Sequence, residues 1–169
     1  GLTPLPTIVS WNDLIRGETI VDTAHVSDPV LIREDGMYLY TLPSCIDDVD
    51  YAITHVIRGE DHVTNAAVQI EIMQALIDIK GAGGLPAFAH HSLLIGADGQ
   101  GLSKRLGSLS IESMRADGIE PEAITSLLAR LGTADPVAPE RDLGALAAAF
   151  DFARIGRAPA RFDEAELLQ

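Results

Sequence analysis

The sequence predicts an α/β fold followed by a helical region, and three features support this prediction. Residues 53–57 and 91–95 are short apolar runs of the kind that form buried strands. Between them, apolar residues recur at helical spacing from 63 to 77. From Ile111 onward the pattern is helical and rich in alanine and leucine. The order strand, helix, strand predicts a βαβ unit of a parallel sheet.

The elements that precede this unit are predicted to be short. Residues 1–10 are typical of an irregular lead-in, since two prolines interrupt them. The sequence Glu34-Asp35-Gly36 predicts a turn, and residues 37–42 predict a strand or a strand that leads into a helix. Pro43 lies where a helix can begin. Three further runs are β-prone, namely residues 11–15, 19–21 and 30–33.

The elements that follow the unit's helix are marked by glycine and proline. Lys80-Gly81 fits the end of that helix, and residues 82–86 predict a loop. The character of the chain changes near residues 96–100, where we place a domain boundary. The later predicted helices are one from Pro121 to a stop at Gly132, one at residues 143–150, and one capped by Asp163.

Composition excludes several classes of protein. Of the 169 residues 47% are hydrophobic, yet no apolar run approaches the roughly 20 residues of a membrane span. The chain opens without a secretory signal, and its single cysteine, Cys45, allows neither a disulfide framework nor a cysteine-built zinc site. A cytoplasmic protein is therefore expected. The net charge of -13 argues against a broadly basic nucleic-acid surface, so a local basic patch would have to bind any nucleic acid.

Arg58 begins the first stretch that carries chemistry, Arg58-Gly59-Glu60-Asp61-His62. In parallel α/β sheets, ligands bind at the carboxyl ends of strands. A guanidinium at that position can hold a carboxylate through two parallel hydrogen bonds. The alternative is a structural ion pair between Arg58 and Glu60 or Asp61.

A glycine-rich loop forms the second stretch, at residues 99–107. Its glycines surround Ser103, Lys104 and Arg105, and this combination of hydroxyl and cations suits phosphate oxygens. The alternative is a solvated surface loop. The spacing of a Walker A loop is absent.

Four histidines are candidate metal ligands by residue type: His55, His62, His90 and His91. Their spacing does not match that of known metal sites, so no protein-bound metal is expected. His55 lies in an apolar run and is predicted to be a packed core residue.

Three arginines form a local basic cluster in this acidic chain: Arg154, Arg157 and Arg161. Their spacing places them on one face if the segment is helical. Such a face suits a phosphate backbone, and the alternative is a solvated face without a partner.

Together these stretches resemble class I aminoacyl-tRNA synthetases of the glutamyl type. Residues 53–65 resemble the family's strand-loop-helix signature, and Gly101-Leu102-Ser103-Lys104-Arg105 resembles its KMSKS loop in the Lys-Leu-Ser-Lys-Arg form. The resemblance covers essentially the whole chain in the right order. Its other matching stretches are WNDLIRG, VLIREDGMYLYTLPSCIDDVD, EPEAITSLLARLG and FDFARIGRAPARFD.

The resemblance implies a fold in three parts. Residues 1–40 would end an inserted acceptor-stem-binding domain, and residues 41–95 would be the second half of a Rossmann-type catalytic domain. Residues 96–169 would hold the KMSKS-like loop and a helical stem-contact domain. The family's HIGH motif is absent from the sequence, so we expect a fragment of a larger, monomeric enzyme, inactive when isolated.

The resemblance also implies chemistry: ligation of L-glutamate to tRNA through a glutamyl-adenylate made from ATP, with Mg²⁺ accompanying the ATP. Arg58 would clamp the glutamate side chain, with Tyr40 and Ser44 lining the same pocket. The remaining roles carried over are ATP binding by Ser103, Lys104, Asp61 and His62, with Lys104 also catalytic, and tRNA binding by Arg154, Arg157 and Arg161.

The missing HIGH motif and two substitutions in the family pattern leave alternatives open. Gly101 replaces the first lysine of the KMSKS loop, and Ser44 stands where some members have a side-chain amide. One alternative is a paralogue that charges a different tRNA, such as a glutamine acceptor. The other is a non-catalytic tRNA-binding module.

Overall fold

The computed structural model describes residues 7–96, 99, 110–136 and 138–162. The chain divides into two compact units, Gly1–His90 and His91–Gln169. The strands are β1 (Ile8–Asp13), β2 (Gly17–Asp22), β3 (His55–Gly59), β4 (Ala87–His91), β5 (Leu94–Gly96) and β6 (Ala160–Phe162). The α-helices are α1 (Thr41–Asp50), α2 (Val63–Lys80), α3 (Ile111–Ala116), α4 (Pro121–Arg130) and α5 (Leu143–Ala149).

The first unit opens with an antiparallel hairpin of β1 and β2, in which Asp13 pairs with Gly17. Gly17 has φ of 75°, a conformation that a glycine adopts without strain. The connecting turn is therefore a short hairpin loop that closes at a left-handed glycine. Residues 8–10 belong to β1, so the predicted irregular lead-in is wrong for that part. Pairing of Ile8 with Asp22 makes this segment a strand.

Between the hairpin and α1, the predicted strands are largely absent. Among the described residues of this segment, the only bridge joins Ile32 to Tyr38 around the turn at Gly36. The predicted turn is thus confirmed, but its flanks do not extend into a ladder. Helix α1 then begins at Thr41 and places Pro43 in its first turn, where a missing backbone N–H costs nothing.

The predicted strand-helix-strand unit is confirmed in its order, since β3, α2 and β4 follow one another and β3 neighbours β4. Helix α2 ends at Lys80, and Gly81, which has φ of 67°, caps it in the left-handed conformation. The second strand is Ala87–His91 rather than residues 91–95, which corrects the prediction. The two differ because β4 ends at His91, and the residues that follow lead into β5, a strand of another sheet.

The first unit's core lies between α2, α1 and the strands. The buried face of α2 presents Ala66, Ala67, Ile70 and Met73, which recur at helical spacing. The small alanines leave room for α1 to approach, and Cys45 on α1 is fully buried in the same cluster. Partly buried side chains pack around it: Trp11, Val21, Val49, Val56, Ile72 and Leu76.

The second unit combines short helices with a two-stranded parallel sheet of β5 and β6. Helix α4 begins at Pro121, and Gly132 follows its end with φ of 79°, as predicted. Helix α5 confirms the predicted helix at 143–150. Strand β6 corrects the prediction of a purely helical region, because backbone pairing with β5 was not visible in the local pattern. The helix predicted after Asp163 lies outside the described residues.

A small apolar cluster holds the second unit together. Met114, Leu127 and Phe162 are its buried members. Ser110 starts α3 with a capping box, in which its side chain and that of Ser113 each accept from the other's backbone N–H. No helix of the described residues is long and apolar enough to cross a membrane.

Replacing Met73 tests the assignment of the core. Met73→Ala should lower the free energy of unfolding by about 2–5 kcal/mol, because it leaves a cavity beside fully buried neighbours. Ile79→Ala, on the same helix but 83% exposed, should change it by less than about 0.5 kcal/mol. Urea unfolding followed by fluorescence of Trp11, the only tryptophan, reports on this unit. Equal effects of the two substitutions would contradict the assignment.

Candidate functional site

A buried carboxylate organises the first unit at the hairpin turn. Asp13 is only 2% exposed, and its Oδ1 accepts hydrogen bonds from the backbone N–H groups of Ile15 at 3.1 Å and Arg16 at 3.0 Å. The same oxygen accepts from the backbone N–H of His90 on β4 at 3.1 Å. Since Leu14 N also donates to Phe88 O at 2.9 Å, the turn is fixed against β4.

The other Asp13 oxygen faces the His90 ring. Oδ2 lies 2.5 Å from Nδ1, and both side chains are completely buried. Burial works against ionisation of Asp13, but the hydrogen bonds from His90 and the backbone outweigh it and lower the pKa of the Asp13 carboxyl. An ionised carboxylate can only accept, so His90 Nδ1 carries the proton and donates.

His90 itself is held neutral. Burial lowers the pKa of the His90 imidazole, the Asp13 contact opposes this, and the positive charges of Arg58 and Arg16 reinforce it. A neutral ring with its proton on Nδ1 has a lone pair on Nε2. The side chain beyond that nitrogen must therefore be a donor.

That donor is Arg58, the second-last residue of β3. Its Nε donates to His90 Nε2 at 3.4 Å, a long hydrogen bond. Its Nη2 is buried and has no hydrogen-bond partner within the described part of the chain. A buried, unsatisfied group of a permanently charged side chain is costly, so this nitrogen marks a place where a ligand would be stabilising.

The carboxylates that follow Arg58 in the sequence, Glu60 and Asp61, do not form an ion pair with it. Glu60 pairs instead with Arg16, at 2.7 Å. Asp61 lies 3.8 Å from His62. The structural ion pair between Arg58 and either of these residues, offered as an alternative from sequence, is therefore wrong. The cause is the long-range position of Arg16, which approaches Glu60 from the hairpin turn.

Helix α1 carries two ionisable groups, Cys45 and Asp48, that the charge of Arg58 influences. Burial raises the pKa of the Cys45 thiol to about 11, and the negative charge of Asp48 adds to it, while the positive charge of Arg58 acts in the opposite direction. Burial likewise raises the pKa of the Asp48 carboxyl, again against the influence of Arg58. Cys45 is thus an un-ionised packing residue rather than a nucleophile.

Ser44 occupies the same helix and is held by Gln69 of α2. Its Oγ accepts from Gln69 Nε2 at 3.0 Å and donates to Thr41 O at 3.1 Å. Gln69 is 2% exposed, and among the described residues its Oε1 lacks a hydrogen-bond partner. Gln69 Oε1 is thus a buried acceptor, and Arg58 Nη2 a buried donor, that each lack a partner among the described residues.

Three of the remaining predicted pocket residues, Tyr40, Asp61 and His62, are described by the structure. Tyr40 precedes α1 as its N-cap residue and is 62% exposed. Asp61 and His62 form a 3-10 turn between β3 and α2. His62 Nδ1 is buried and, in the part of the chain that the structure describes, has no hydrogen-bond partner. Ser103 and Lys104 lie outside the described residues.

One of the four histidines lies in a different environment from the one predicted. His55 is exposed and its Nδ1 lies 2.9 Å from Thr54 Oγ1, so its prediction as a packed core residue is wrong. The reason is that β3 is an exposed strand at this end, with Ile57 also 53% exposed. The described residues contain no group of three or more His, Cys, Asp or Glu side chains that could hold a metal ion.

The basic cluster does not share a helical face. Arg154 ends a 3-10 turn and forms an ion pair with Asp135, whereas Arg161 lies in β6. Arg157 lies in a bend between them. The prediction that the three arginines share one face required a helical segment. The segment is not a continuous helix, because its last residues form β6 and pair with β5. A role of these arginines in RNA binding stays a prediction.

Sequence reasoning missed four residues that shape this site: Asp13, Arg16, Gln69 and His90. Their contacts span long stretches of chain, and Asp13 and His90 are 77 positions apart. One local signal existed for Asp13, because an aspartate shortly before a glycine, here Gly17, suits a turn that the aspartate side chain caps. No local signal connects that turn to β4.

Comparisons with known proteins identify the family of this chain. The family described as "tRNA synthetases class I (E and Q), catalytic domain" matches residues 3–154. The chain belongs to this family. The family predicted from sequence is thereby confirmed, and the mixed α/β structure with small sheets is consistent with a class I synthetase catalytic domain.

Curated relatives within the family are named glutamate–tRNA ligases. "Glutamate--tRNA ligase 2" of Hyphomonas neptunium is 59% identical over 159 residues, which cover 94% of this chain and 35% of the relative. The protein of that name from Methylorubrum populi is 56% identical over 160 residues, covering 95% of this chain and 34% of the relative. The chain thus spans about a third of the length of the curated relatives it matches.

Solved structures of the family show the same fold. A glutamate tRNA ligase from Elizabethkingia meningosepticum, crystallised in complex with its amino acid, is 32% identical with a TM-score of 0.76. Glutamate-tRNA synthetase from Elizabethkingia anophelis is 29% identical with a TM-score of 0.69. Each match covers 97% of this chain and 36% of the solved chain.

The buried pair predicts an acid-sensitive first unit. Because the folded-state pKa of His90 lies below its usual value of 6.5, the unfolded chain takes up that proton first as the pH falls. The stabilisation is therefore present above pH 6.5 and is lost as the pH falls from there through the lower folded-state pKa. His90→Gln should remove this part of the pH dependence of the unfolding free energy, measured with Trp11 fluorescence.

His25→Gln is the matched control, since the His25 side chain is 85% exposed. It should leave the pH dependence between neutral pH and pH 5 close to that of the unsubstituted chain. The assignment of a buried neutral His90 fails if the unsubstituted chain and His90→Gln lose stability in parallel over this range.

Proposed function

We propose that the protein to which this chain belongs ligates glutamate to tRNA through an ATP-dependent glutamyl-adenylate. Identity of 54–59% to relatives named glutamate–tRNA ligase supports the reaction. The observation that carries the proposal is Arg58, whose Nε donates to a neutral His90 and whose buried Nη2 has no partner in the described part of the chain. This is the arrangement that a carboxylate substrate would complete.

Arg58 would bind the side-chain carboxylate of glutamate. A guanidinium presents donors only, and a carboxylate presents acceptors only, so the pair forms charge-assisted hydrogen bonds at every contact. The burial of Nη2 strengthens this preference because water competes less there. Glutamine would offer an amide group with donors of its own and no negative charge.

The surrounding residues would define the rest of the pocket. Tyr40 would line its open side, which agrees with its 62% exposure in the chain alone. Ser44 would contact the amino acid with a hydroxyl oriented by Gln69. Asp61 and His62 would face the nucleotide side, from the turn at the start of α2.

The reaction would run in two steps. An α-carboxylate oxygen of glutamate attacks the α-phosphorus of ATP, the bond to the leaving oxygen breaks, and pyrophosphate departs. A hydroxyl of the terminal adenosine of tRNA then attacks the acyl carbon, loses its proton and releases AMP. Lys104 would stabilise the charge that develops on the phosphates in the first step, together with the hydroxyl of Ser103. Mg²⁺ would arrive with ATP as part of that substrate.

The finer assignment of domains is part of the same proposal. Residues 41–95 would be the second half of a Rossmann-type catalytic domain, following the end of an acceptor-stem-binding insertion at 1–40. Residues 96–169 would contact the stem of the tRNA, with Arg154, Arg157 and Arg161 meeting its phosphates. The enzyme would act as a cytoplasmic monomer.

Removing the Arg58 guanidinium tests the proposed substrate contact. In the full-length ligase, Arg58→Ala should raise the KM for glutamate about 10- to 150-fold, the equivalent of losing about 1.5–3 kcal/mol from hydrogen bonds to a charged group. The KM for ATP should change little. Arg33→Ala is the matched control, since Arg33 is an exposed arginine of the same unit. An unchanged KM for glutamate would contradict the role of Arg58.

The two lysines of the chain provide a test of the nucleotide contact. Lys104→Ala should slow ATP–pyrophosphate exchange, measured with tRNA present, by about 10²- to 10³-fold, as expected for one lost preorganised donor. Lys80→Ala, which removes an exposed ion pair with Asp50, should leave the exchange rate unchanged. Equal exchange rates for both variants would exclude the catalytic role of Lys104.

A further inference from the structure

We propose that His90 is a positioning residue for Arg58 and that Asp13 fixes the tautomer on which this depends. The inference rests on the proposed function, in which Arg58 clamps the glutamate carboxylate. Its basis is the continuous chain of contacts from Asp13 Oδ2 to His90 Nδ1 at 2.5 Å and from His90 Nε2 to Arg58 Nε at 3.4 Å.

The first step of the argument is the geometry of a guanidinium. Its five N–H groups lie in one plane, so a contact at Nε limits the rotation of that plane about the side-chain axis. Once Nε is engaged by His90, the terminal nitrogens are directed together, and the buried Nη2 has no partner among the described residues. Orientation of the clamp would therefore precede binding of the substrate.

The second step concerns the charge of the anchor. A carboxylate in the place of His90 would also accept from Nε, but it would neutralise Arg58 and compete with the substrate's carboxylate. A neutral imidazole holds the guanidinium and leaves its positive charge available. Glu60, two positions after Arg58 in the chain, is engaged by Arg16 at 2.7 Å, so this carboxylate is occupied by another arginine.

The third step concerns the proton on the ring. If it moved from Nδ1 to Nε2, two N–H groups would face each other between His90 and Arg58. Asp13 prevents this, because its carboxylate accepts from Nδ1 and is itself held by three backbone N–H groups. The carboxylate thus acts on Arg58 through the tautomer of the histidine, as outer ligands orient metal-binding histidines.

Two substitutions of His90 separate its contacts. The terminal amide of asparagine reaches the place of Nδ1 and can donate to Asp13, but it is too short to reach Arg58. The terminal oxygen of glutamine reaches the place of Nε2 and can accept from Arg58. In the full-length ligase, His90→Asn should raise the KM for glutamate about 10- to 100-fold, as expected for a misplaced binding group, whereas His90→Gln should raise it less than about threefold.

The KM for ATP should be unchanged in both variants, and the effects on glutamate should not follow the loss of stability. The proposal is overturned if both variants raise the KM for glutamate alike, or if His90→Asn leaves it unchanged. Arg58→Ala is measured in parallel. If Arg58→Ala has no effect, the proposed function of Arg58 fails; if Arg58→Ala raises the KM and His90→Asn does not, only the role of His90 fails.

The tautomer is measured directly, without any substitution, by long-range ¹H–¹⁵N correlation spectra of the histidine rings in the unsubstituted chain. We expect His90 to carry its proton on Nδ1, and a proton on Nε2 overturns the proposal. Asp13→Asn replaces the acceptor at Oδ2 with an amide donor and should shift the proton to Nε2. In the ligase it should then raise the KM for glutamate as His90→Asn does; an unchanged KM would overturn the role of Asp13.

Discussion

The ionised carboxylate of Asp13, buried inside the first unit, is the constraint on which the rest of that unit depends. Burying an unpaired charge is expensive, and here three backbone N–H groups and the His90 ring offset the cost. Those same contacts close the hairpin turn, join it to β4 and determine which ring nitrogen of His90 is protonated. One residue thereby couples the local conformation of a turn to the chemistry of a site.

The charged side chains around Arg58 do not pair with their nearest neighbours in the sequence. Glu60 follows Arg58 by two positions, yet Arg16 of the hairpin turn takes it at 2.7 Å. Asp48 of α1 is close enough for Arg58 to influence its ionisation, but burial still raises the pKa of its carboxyl. The outcome is an arginine that retains its positive charge in a partly buried setting, which agrees with a site for an anion.

Features determined by local sequence were predictable, and features determined by distant contacts were not. The spacing of apolar residues and a terminal glycine were enough for α2, because a helix and its cap depend on neighbouring residues. The position of Arg58 near the end of a strand was likewise visible. Burial of Asp13 and His90, the exposure of His55 and the division of residues 91–95 between two sheets depend on partners far along the chain, which a local pattern does not identify.

If His90 positions Arg58 as proposed, selectivity for glutamate over glutamine depends on the neutral His90 ring as much as on the Arg58 guanidinium. With Arg58 held through Nε by a neutral ring, its buried Nη2 has no hydrogen-bond partner among the described residues. A carboxylate supplies a negative charge and acceptors for every donor, whereas an amide supplies one oxygen and directs its own N–H groups at the guanidinium. Since an unpaired buried donor and the missing charge of the ligand both cost free energy, the amide is disfavoured twice. An ionised anchor would remove the second of these penalties and so weaken the distinction.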